Sequence, residues 1–460
     1  MGDFFRRVVT LDIFELNIIF SEQCYSLYLS LPVQALPRAG MGVGARLLAF
    51  LKHFILGLVH IGSRVSASAK PLDILFFAYT INQRDALLPV LLQVPNSYLA
   101  GHHRIHPQQL FPEFWAYLIS IPFFPWVIAH YFKASEYRKR TFRYAFDQYW
   151  LTYGYYIVAT RWLNHLKPKV IVLSNDHNMH QRVLIKVAGE LGIPTVYLQH
   201  ASVTAEFPPL SFDYALLDGV DALEKYAQAG ITDTKVLLIG IPKLDSYIGE
   251  INQKSKVDSL GICTNQLEDI ESVENVCLHL RHVLPSLAVI LRPHPADKRV
   301  KQWQDLASQI GAGFSDARTT ISFEFFKTVD AVLVGDSNIL LEAALVDVYP
   351  LYYDFSGQKR DHYGFVRNGL TEYFSMPEQV TMKLQDLMEN KPDVQHRTQR
   401  YCATIGTPYA GQSSKLASEV INMISVGTGQ KLNDKWSFSS VNGLHTYSLN
   451  LDLCDRRRNH

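Results

Sequence analysis

Three stretches in the second half of the chain end apolar runs in residues that can do chemistry. In VILRPHPADK (289–298) the run stops at Arg292, Pro293, His294 and Pro295. A proline cannot donate to a strand ladder. Each proline also fixes its own φ and pushes its predecessor toward extended geometry. A cation and an imidazole are thereby held on a stiff turn at the carboxyl end of a strand, the edge where open α/β sheets bind ligands. Taken alone, the stretch fits equally a capped strand end with a solvated Arg and a packed His. In GICTNQLED (261–269), small residues lead to Thr264 and Asn265 and then to a helix start. In VGDSNILLEAAL (334–345), Asp336, Ser337 and Asn338 open a helix that carries Glu342. A hydroxyl beside unpaired backbone N–H groups makes an anion site, although Asp, Ser and Asn are also the ordinary helix caps. Glu342 is either a ligand for a sugar hydroxyl or a surface glutamate. Two helix starts, one arginine and one histidine together describe a phosphate-binding crevice. Neither GxxxxGK[ST] nor GxGxxG is present, which tells against P-loop and dinucleotide chemistry.

The first half has its own polar strand ends. SNDHNMHQ (174–181) supplies Asn175, Asp176, His177 and His180, and LQHASV (198–203) supplies Gln199 and His200. His177 and His180 are spaced to share a helix face, but no HExxH and no fourth ligand at recognisable spacing accompany them, so no metal is expected. A carboxylate facing a crevice suits general-base work better. GHHRIH (101–106) reads as a solvated loop or part of an acceptor surface.

These strand ends need a scaffold that sets them side by side. DILFFAY (73–79), KVIVLSND (169–176), PTVYLQHA (194–201), DYALLDG (213–219) and KVLLIGIP (235–242) are short apolar runs separated by helical patterns. After GIPKLDSYIGEINQKSKVD the alternation restarts with SLGICTNQ (259–266), LAVILRPHP, DAVLVGDSN (330–338) and YPLYYDFSG. Alternating strands and helices make a mostly parallel sheet covered on both faces. A chain of 460 residues also exceeds one ordinary core. The expected fold is α/β, with two Rossmann-like, doubly wound domains over 71–245 and 246–427. A helical extension precedes them over 1–70, and a polar, poorly ordered tail over 428–460 follows.

Hydrophobic residues make up 48% and charged residues 19%, and the net charge of +1 gives no reason to expect nucleic acid. Five scattered cysteines without a CxxC fit a reduced, cytoplasmic protein. Asp3, Asp12 and Glu15 interrupt the first residues, unlike a secretory signal peptide. ARLLAFLKHFILGLVH (45–60) is the most membrane-like stretch, short for a span and interrupted by Lys52 and His53. It reads as an amphipathic helix on a membrane surface or as a helix packed on the domain. FWAYLISIPFFPWVIAHYF (114–132), broken by two prolines, reads as buried helix plus a groove-lining segment, or as a segment that touches lipid. DFSGQKRDHYGFVRNGL (354–370) is basic and aromatic, and either closes over a ligand or connects two helices.

YLQHASV, GIPKLD, LRPHPADK and GDSNILLEAALVDVYPLY occur in that order. As a set over about 165–355 they resemble the GT-B glycosyltransferases of bacterial surface-polysaccharide assembly. The nearest groups are CDP-glycerol glycerophosphotransferase-like and capsule sialyltransferase-like. Where that family has QHG, this chain has Gln199, His200 and Ala201. The family's HP turn matches His294 and Pro295, its phosphate-holding serine matches Ser337, and its domain-crossing motif matches Gly240, Pro242 and Asp245. The resemblance implies two Rossmann-like domains facing across a cleft, with the donor nucleotide held by the second and the acceptor entering from the first. Arg292 and His294 would then sit at the donor phosphates, where leaving-group charge develops and fixed positive groups stabilise it without a metal. Thr264, Asn265, Asp336, Ser337 and Asn338 would line the nucleotide pocket, with Glu342 on a ribose or sugar hydroxyl. Asp176 would be the base, with His200 as its partner or substitute.

The expected function is an inverting, metal-independent glycosyltransferase. Its co-substrate would be a nucleotide-activated donor (a CMP-sugar first, CDP-glycerol next), with no other cofactor. Its acceptor would be an oligosaccharide or lipid-linked glycan, reached from the cytoplasm or the cytoplasmic face of the inner membrane. A CDP-glycerol glycerophosphotransferase-type polymerase, a non-hydrolysing UDP-sugar 2-epimerase and a non-catalytic polysaccharide-assembly scaffold are the competing readings.

Overall fold

The first apolar run, ILFFA, becomes a strand with all five residues buried, as expected where helices cover both faces of a parallel sheet. The computed structural model describes residues 2–20, 42–61, 73–175, 177–266, 268–427 and 435–451. In chain order the strands are β1 (Ile74–Ala78), β2 (Ser97–Gly101), β3 (Gln109–Leu110), β4 (Val170–Leu173), β5 (Thr195–Leu198), β6 (Tyr214–Leu217) and β7 (Lys235–Leu238). They continue with β8 (Ser259–Thr264), β9 (Ala288–Pro293), β10 (Gly313–Phe314), β11 (Ala331–Val334), β12 (Tyr349–Tyr353) and β13 (Glu372–Phe374), then β14 (Trp436–Val441) and β15 (Leu444–Leu449).

The chain divides into two units. The first takes residues up to His200, Ala205–Lys243 and everything from Ser413 on; the second takes Ala201–Thr204 and Leu244–Gln412. The crossing at Lys243 and Leu244 falls inside GIPKLD, and the helix Ser413–Ser425 belongs to the first unit, although the sequence placed it in the second domain.

The first unit holds a nine-stranded sheet in the order β14-β15-β7-β6-β5-β4-β1-β2-β3. Strands β1 to β7 are parallel to their neighbours. The expected disordered tail is corrected over β14 and β15. These form an antiparallel hairpin that extends the sheet parallel to β7, with His445 opposite Lys235. The alternation Trp-Ser-Phe-Ser, followed by Asn442 and Gly443 at positive φ, is a hairpin signal that a purely compositional reading overlooks. Residues 428–434 and 452–460 lie outside the described residues.

One 31-residue helix, Glu136–Leu166, organises the rest of this unit. Ser135 caps it, accepting the Arg138 N–H, and Lys167 ends it in a left-handed conformation. Tyr149, Tyr153, Tyr155, Tyr156 and Trp162 on it are fully buried. The helix Glu113–Ser120 crosses it at Gly154, where a Cβ would lie 1.9 Å from the Ala116 carbonyl oxygen. The described part of the expected extension packs here too. In the helix Val43–Gly57, Phe50 stacks on Trp150 with ring centroids 4.0 Å apart, and Arg46 pairs with Asp147.

The second unit holds a six-stranded, all-parallel sheet in the order β10-β9-β8-β11-β12-β13.

Candidate functional site

In the second unit Cys263 of β8 is in register with Arg292 of β9 and with Val334 of β11. The carboxyl ends of these three strands are therefore neighbours. Strands β9 and β10 lie to one side of β8, and β11 to β13 to the other, so the topological switch falls between β8 and β11. Loops leave a doubly wound sheet on opposite faces at that point, and a crevice opens. Thr264, Asn265, Arg292, His294, Asp336, Ser337 and Asn338 all sit on this one edge.

Arg292 and His294 do different things. Arg292 is only 5% exposed. Its Nη1 donates to Ser315 Oγ at 2.8 Å and its Nη2 to the Thr320 carbonyl at 2.7 Å, and the guanidinium lies over the Phe325 ring. It forms no ion pair among the described residues. Burial lowers its pKa, while Cys263, Glu342 and Asp316 oppose the shift. A buried cation with carboxylates nearby but no direct ion pair is costly, and a bound anion would relieve that cost. His294 is exposed, and its Nδ1 accepts the Ala296 N–H at 3.1 Å. The neutral ring therefore keeps its proton on Nε2 as a donor. The surrounding protein lowers its pKa through desolvation, with Asp297 opposing, which favours that neutral form.

A second layer holds the turn. Burial would raise Asp297, but bonds from Arg299 and from the Trp303 indole (3.0 Å) keep it below the usual carboxylate range. Arg299 also donates to the carbonyls of Glu268 (2.9 Å) and Gln266 (3.3 Å), tying the β9 turn to the loop after β8. Glu268 accepts from the Asn265 backbone N–H at 2.8 Å and from Asn265 Nδ2 at 3.0 Å. Burial pushes Glu268 up to about 8. Its carboxyl group fills the space that a side chain at position 335 would need, since a Cβ on Gly335 would lie 2.1 Å from Glu268 Oε1. Asn265 is thus held from behind, and Thr264, 6% exposed, keeps a buried hydroxyl with no partner among the described residues.

At the end of β11, Asp336 Oδ2 accepts the His362 N–H at 2.9 Å, while Oδ1 is buried without a partner among the described residues. Burial raises its pKa, with the His362 bond opposing. The basic segment 354–370 therefore reaches the strand edge. Ser337 caps weakly, accepting the Ile339 N–H at 3.4 Å. Asn338 bonds Ser202 at 2.5 Å and Glu342 at 3.3 Å, and Ser322 donates to Glu342 at 2.6 Å. Glu342 is 9% exposed, so the surface-glutamate reading is corrected: it braces Asn338 and Ser322 from inside.

In the first unit the switch falls between β1 and β4. Asn175, 2% exposed, accepts the N–H groups of His177 and Asn178 ahead of the helix Met179–Leu191. Asp176 lies outside the described residues. The expected shared face of His177 and His180 is not formed. His177 precedes the helix and lies against Phe207, whereas His180 stacks on Tyr79 at 3.7 Å. His200 is half-buried, and Gln199 accepts the Asp218 N–H at 3.0 Å. The GHHRIH loop is not simply solvated, since His102 and Ile105 are buried.

Sequence reasoning missed Glu268, Asp297, Arg299 and Gly335, all inside or beside the motifs it quoted. The Asp-x-Arg spacing of 297 and 299 is a legible local signal, since the pair closes within one turn.

No family model and no curated protein matches the chain. Solved structures do match. One UDP-N-acetylglucosamine 2-epimerase has a TM-score of 0.53 at 13% identity, covering 79% of this chain and 99% of that one. The UDP-GlcNAc 2-epimerase from Neisseria meningitidis, bound to UDP-GlcNAc, has a TM-score of 0.51 at 15% identity, covering 75% and 98%. The wall teichoic acid polymerase TagF follows with a TM-score of 0.48 at 11% identity, covering 85% and 99%. At such identities the likeness is one of fold, and together with the two mostly parallel sheets and their helices it gives this chain the two-domain, Rossmann-like GT-B architecture.

Proposed function

We propose that the protein is a glycosyltransferase that takes its glycosyl unit from a nucleotide-activated donor, a CMP-sugar first, and passes it to a surface-glycan or lipid-linked acceptor with inversion; transfer of glycerol phosphate from CDP-glycerol is the next reading. The observation that carries this is the switch-point edge of the second sheet. A buried Arg292 and the buried Thr264 hydroxyl and Asp336 Oδ1, without ion pair or partner respectively among the described residues, meet an exposed His294 donor there. A guanidinium and an imidazole N–H suit the phosphates of the donor, where charge grows as the bond to the sugar breaks. Thr264, Asn265, Asp336, Ser337 and Asn338 receive the nucleotide, and Glu342 orients Asn338. On the acceptor side Asp176 takes the proton of the attacking hydroxyl, with His200 as partner or substitute. No metal enters this chemistry.

The work is done in the cytoplasm with the first unit resting on the membrane surface. Two segments are long and apolar enough to cross a bilayer, Val43–His60 with mean hydropathy 1.4 and Glu113–Lys133 with 1.2, and only 11% and 33% of them are buried, which leaves apolar surface open. The first is anchored on one side by Arg46 and Phe50, and exposes Leu48, Leu51, Ile55 and Val59 on the other. An apolar face left open beside a face fixed to protein suits a helix lying in the membrane surface.

The test is ligand-induced thermal shift with CMP, CDP, UDP, GDP and their activated sugars or glycerol. A shift with cytidine donors that His294→Ala abolishes is the expected result, since binding to the native state raises apparent stability. A shift confined to UDP-sugars, with isomerised product, replaces the transferase by an epimerase. No shift with any nucleotide in folded protein leaves a scaffold.

A further inference from the structure

The richest cluster of metal-binding side chains in the described residues takes no part in the donor chemistry. His102 follows β2, His103 opens the single turn His103–Ile105, and Glu113 opens the helix Glu113–Ser120. Each offers one ligand atom, and these atoms all lie within 4.8 Å of one another. His102 Nε2 and Glu113 Oε2 are 3.3 Å apart. With metal–ligand bonds of about 2.0–2.1 Å, two donors of a tetrahedral zinc site sit about 3.3 Å apart, the same separation. The other carboxylate oxygen, Oε1, accepts the Tyr79 O–H at 3.1 Å, the kind of outer bond that aims a ligating carboxylate. His102 is 9% exposed, whereas His103 is exposed and leaves a way in.

The three residues line a cavity of about 60 Å³ together with His53, His60 and Tyr117. That is room for a water or two on an open coordination position. His60 stacks on His103 with ring centroids 4.8 Å apart, which fixes the exposed imidazole at the cavity wall. His102 Nδ1 accepts the Arg104 N–H at a long 3.3 Å. Ligation through Nε2 moves the ring proton to Nδ1, giving up that long contact and exchanging the Nε2–Glu113 contact for bonds from both groups to one ion.

We propose that His102, His103 and Glu113 bind one divalent transition-metal ion of the zinc class, with water in the remaining position. Two imidazoles and one carboxylate select zinc, cobalt or nickel over magnesium and calcium. The ion ties the end of β2 to the start of the helix Glu113–Ser120. This goes against the sequence-based expectation of no metal, and it is independent of the donor reading because its ligands all belong to the first unit.

The experiment uses the untagged full-length chain stripped with chelator. Zn²⁺ is titrated by calorimetry and Co²⁺ by visible absorption, with Mg²⁺ as control, on wild type, His103→Ala and Glu113→Gln. Circular dichroism checks that each is folded. The expected result is one equivalent of Zn²⁺, a Co²⁺ spectrum of low coordination number, and affinity at least about tenfold weaker in each variant. No stoichiometric uptake by folded wild type, or uptake that either substitution leaves undiminished, overturns the proposal.

Discussion

The edge of the second sheet gathers buried polar groups that lack partners among the described residues. The Thr264 hydroxyl is buried without a partner among the described residues, and an unsatisfied buried polar group costs about 1–3 kcal/mol. Thr264→Val keeps the shape and removes that cost. The variant should melt at or above the wild-type temperature while its nucleotide-induced thermal shift shrinks. A lower melting temperature with an unchanged shift would make Thr264 an ordinary core residue. Glu268 adds a pH dependence with a definite sign. Its native pKa of about 8 lies above its ordinary 4.5, so the native state holds a proton that the unfolded chain releases. The stability from this group is fully present below about 4.5 and is lost as pH rises through 8. Calorimetric melts across that window should show wild type falling and Glu268→Gln staying flatter. Parallel curves would mean that the carboxyl group is ionised in the native protein.

Elements decide how these residues are held. The turn after β9 owes its shape to two prolines, but its position to Arg299 bridging back to the loop after β8. Arg299→Met should therefore weaken donor binding although the side chain touches no ligand, and Arg299→Lys should recover little, since a lysine cannot reproduce the forked geometry. Nucleotide affinity measured by titration checks both. In the first unit the long helix Glu136–Leu166 tolerates its neighbour only because residue 154 has no side chain. Gly154→Ala should destabilise the protein by about 1–3 kcal/mol, the usual cost of forcing atoms into a packed interior. Denaturant melts that show no change would mean the two helices can move apart freely.

For the molecule as a whole, the apolar surface of Val43–His60 and Glu113–Lys133 carries the proposal that the protein works at a membrane surface. Leu51→Asp with Ile55→Asp places two charges on the exposed side of a helix whose other face is fixed by Phe50 and Arg46. Sedimentation with anionic vesicles should fall at least about tenfold with the melting temperature unchanged, because each charge is expensive in a bilayer and cheap in water. Equal sedimentation of the double variant would leave this face to a protein partner. The sequence by itself determined the alternation of apolar runs and helices, hence the α/β class, and it named the polar strand ends, because period and proline chemistry are local. It also placed Thr264, Arg292, His294 and Asp336 at strand ends before any strand order was known. Only the tertiary structure decided that those ends are neighbours, since strand order depends on crossovers that residue spacing does not encode. It decided that Arg292 is buried while His294 is exposed, two residues apart, because Ser315, Thr320 and Phe325 arrive from distant segments. It turned the polar tail into β14 and β15 by offering the open edge of β7. It also brought His102, His103 and Glu113 together, a set that no spacing rule flags, because a carboxylate ten residues away meets the imidazoles only after the chain has passed through β3.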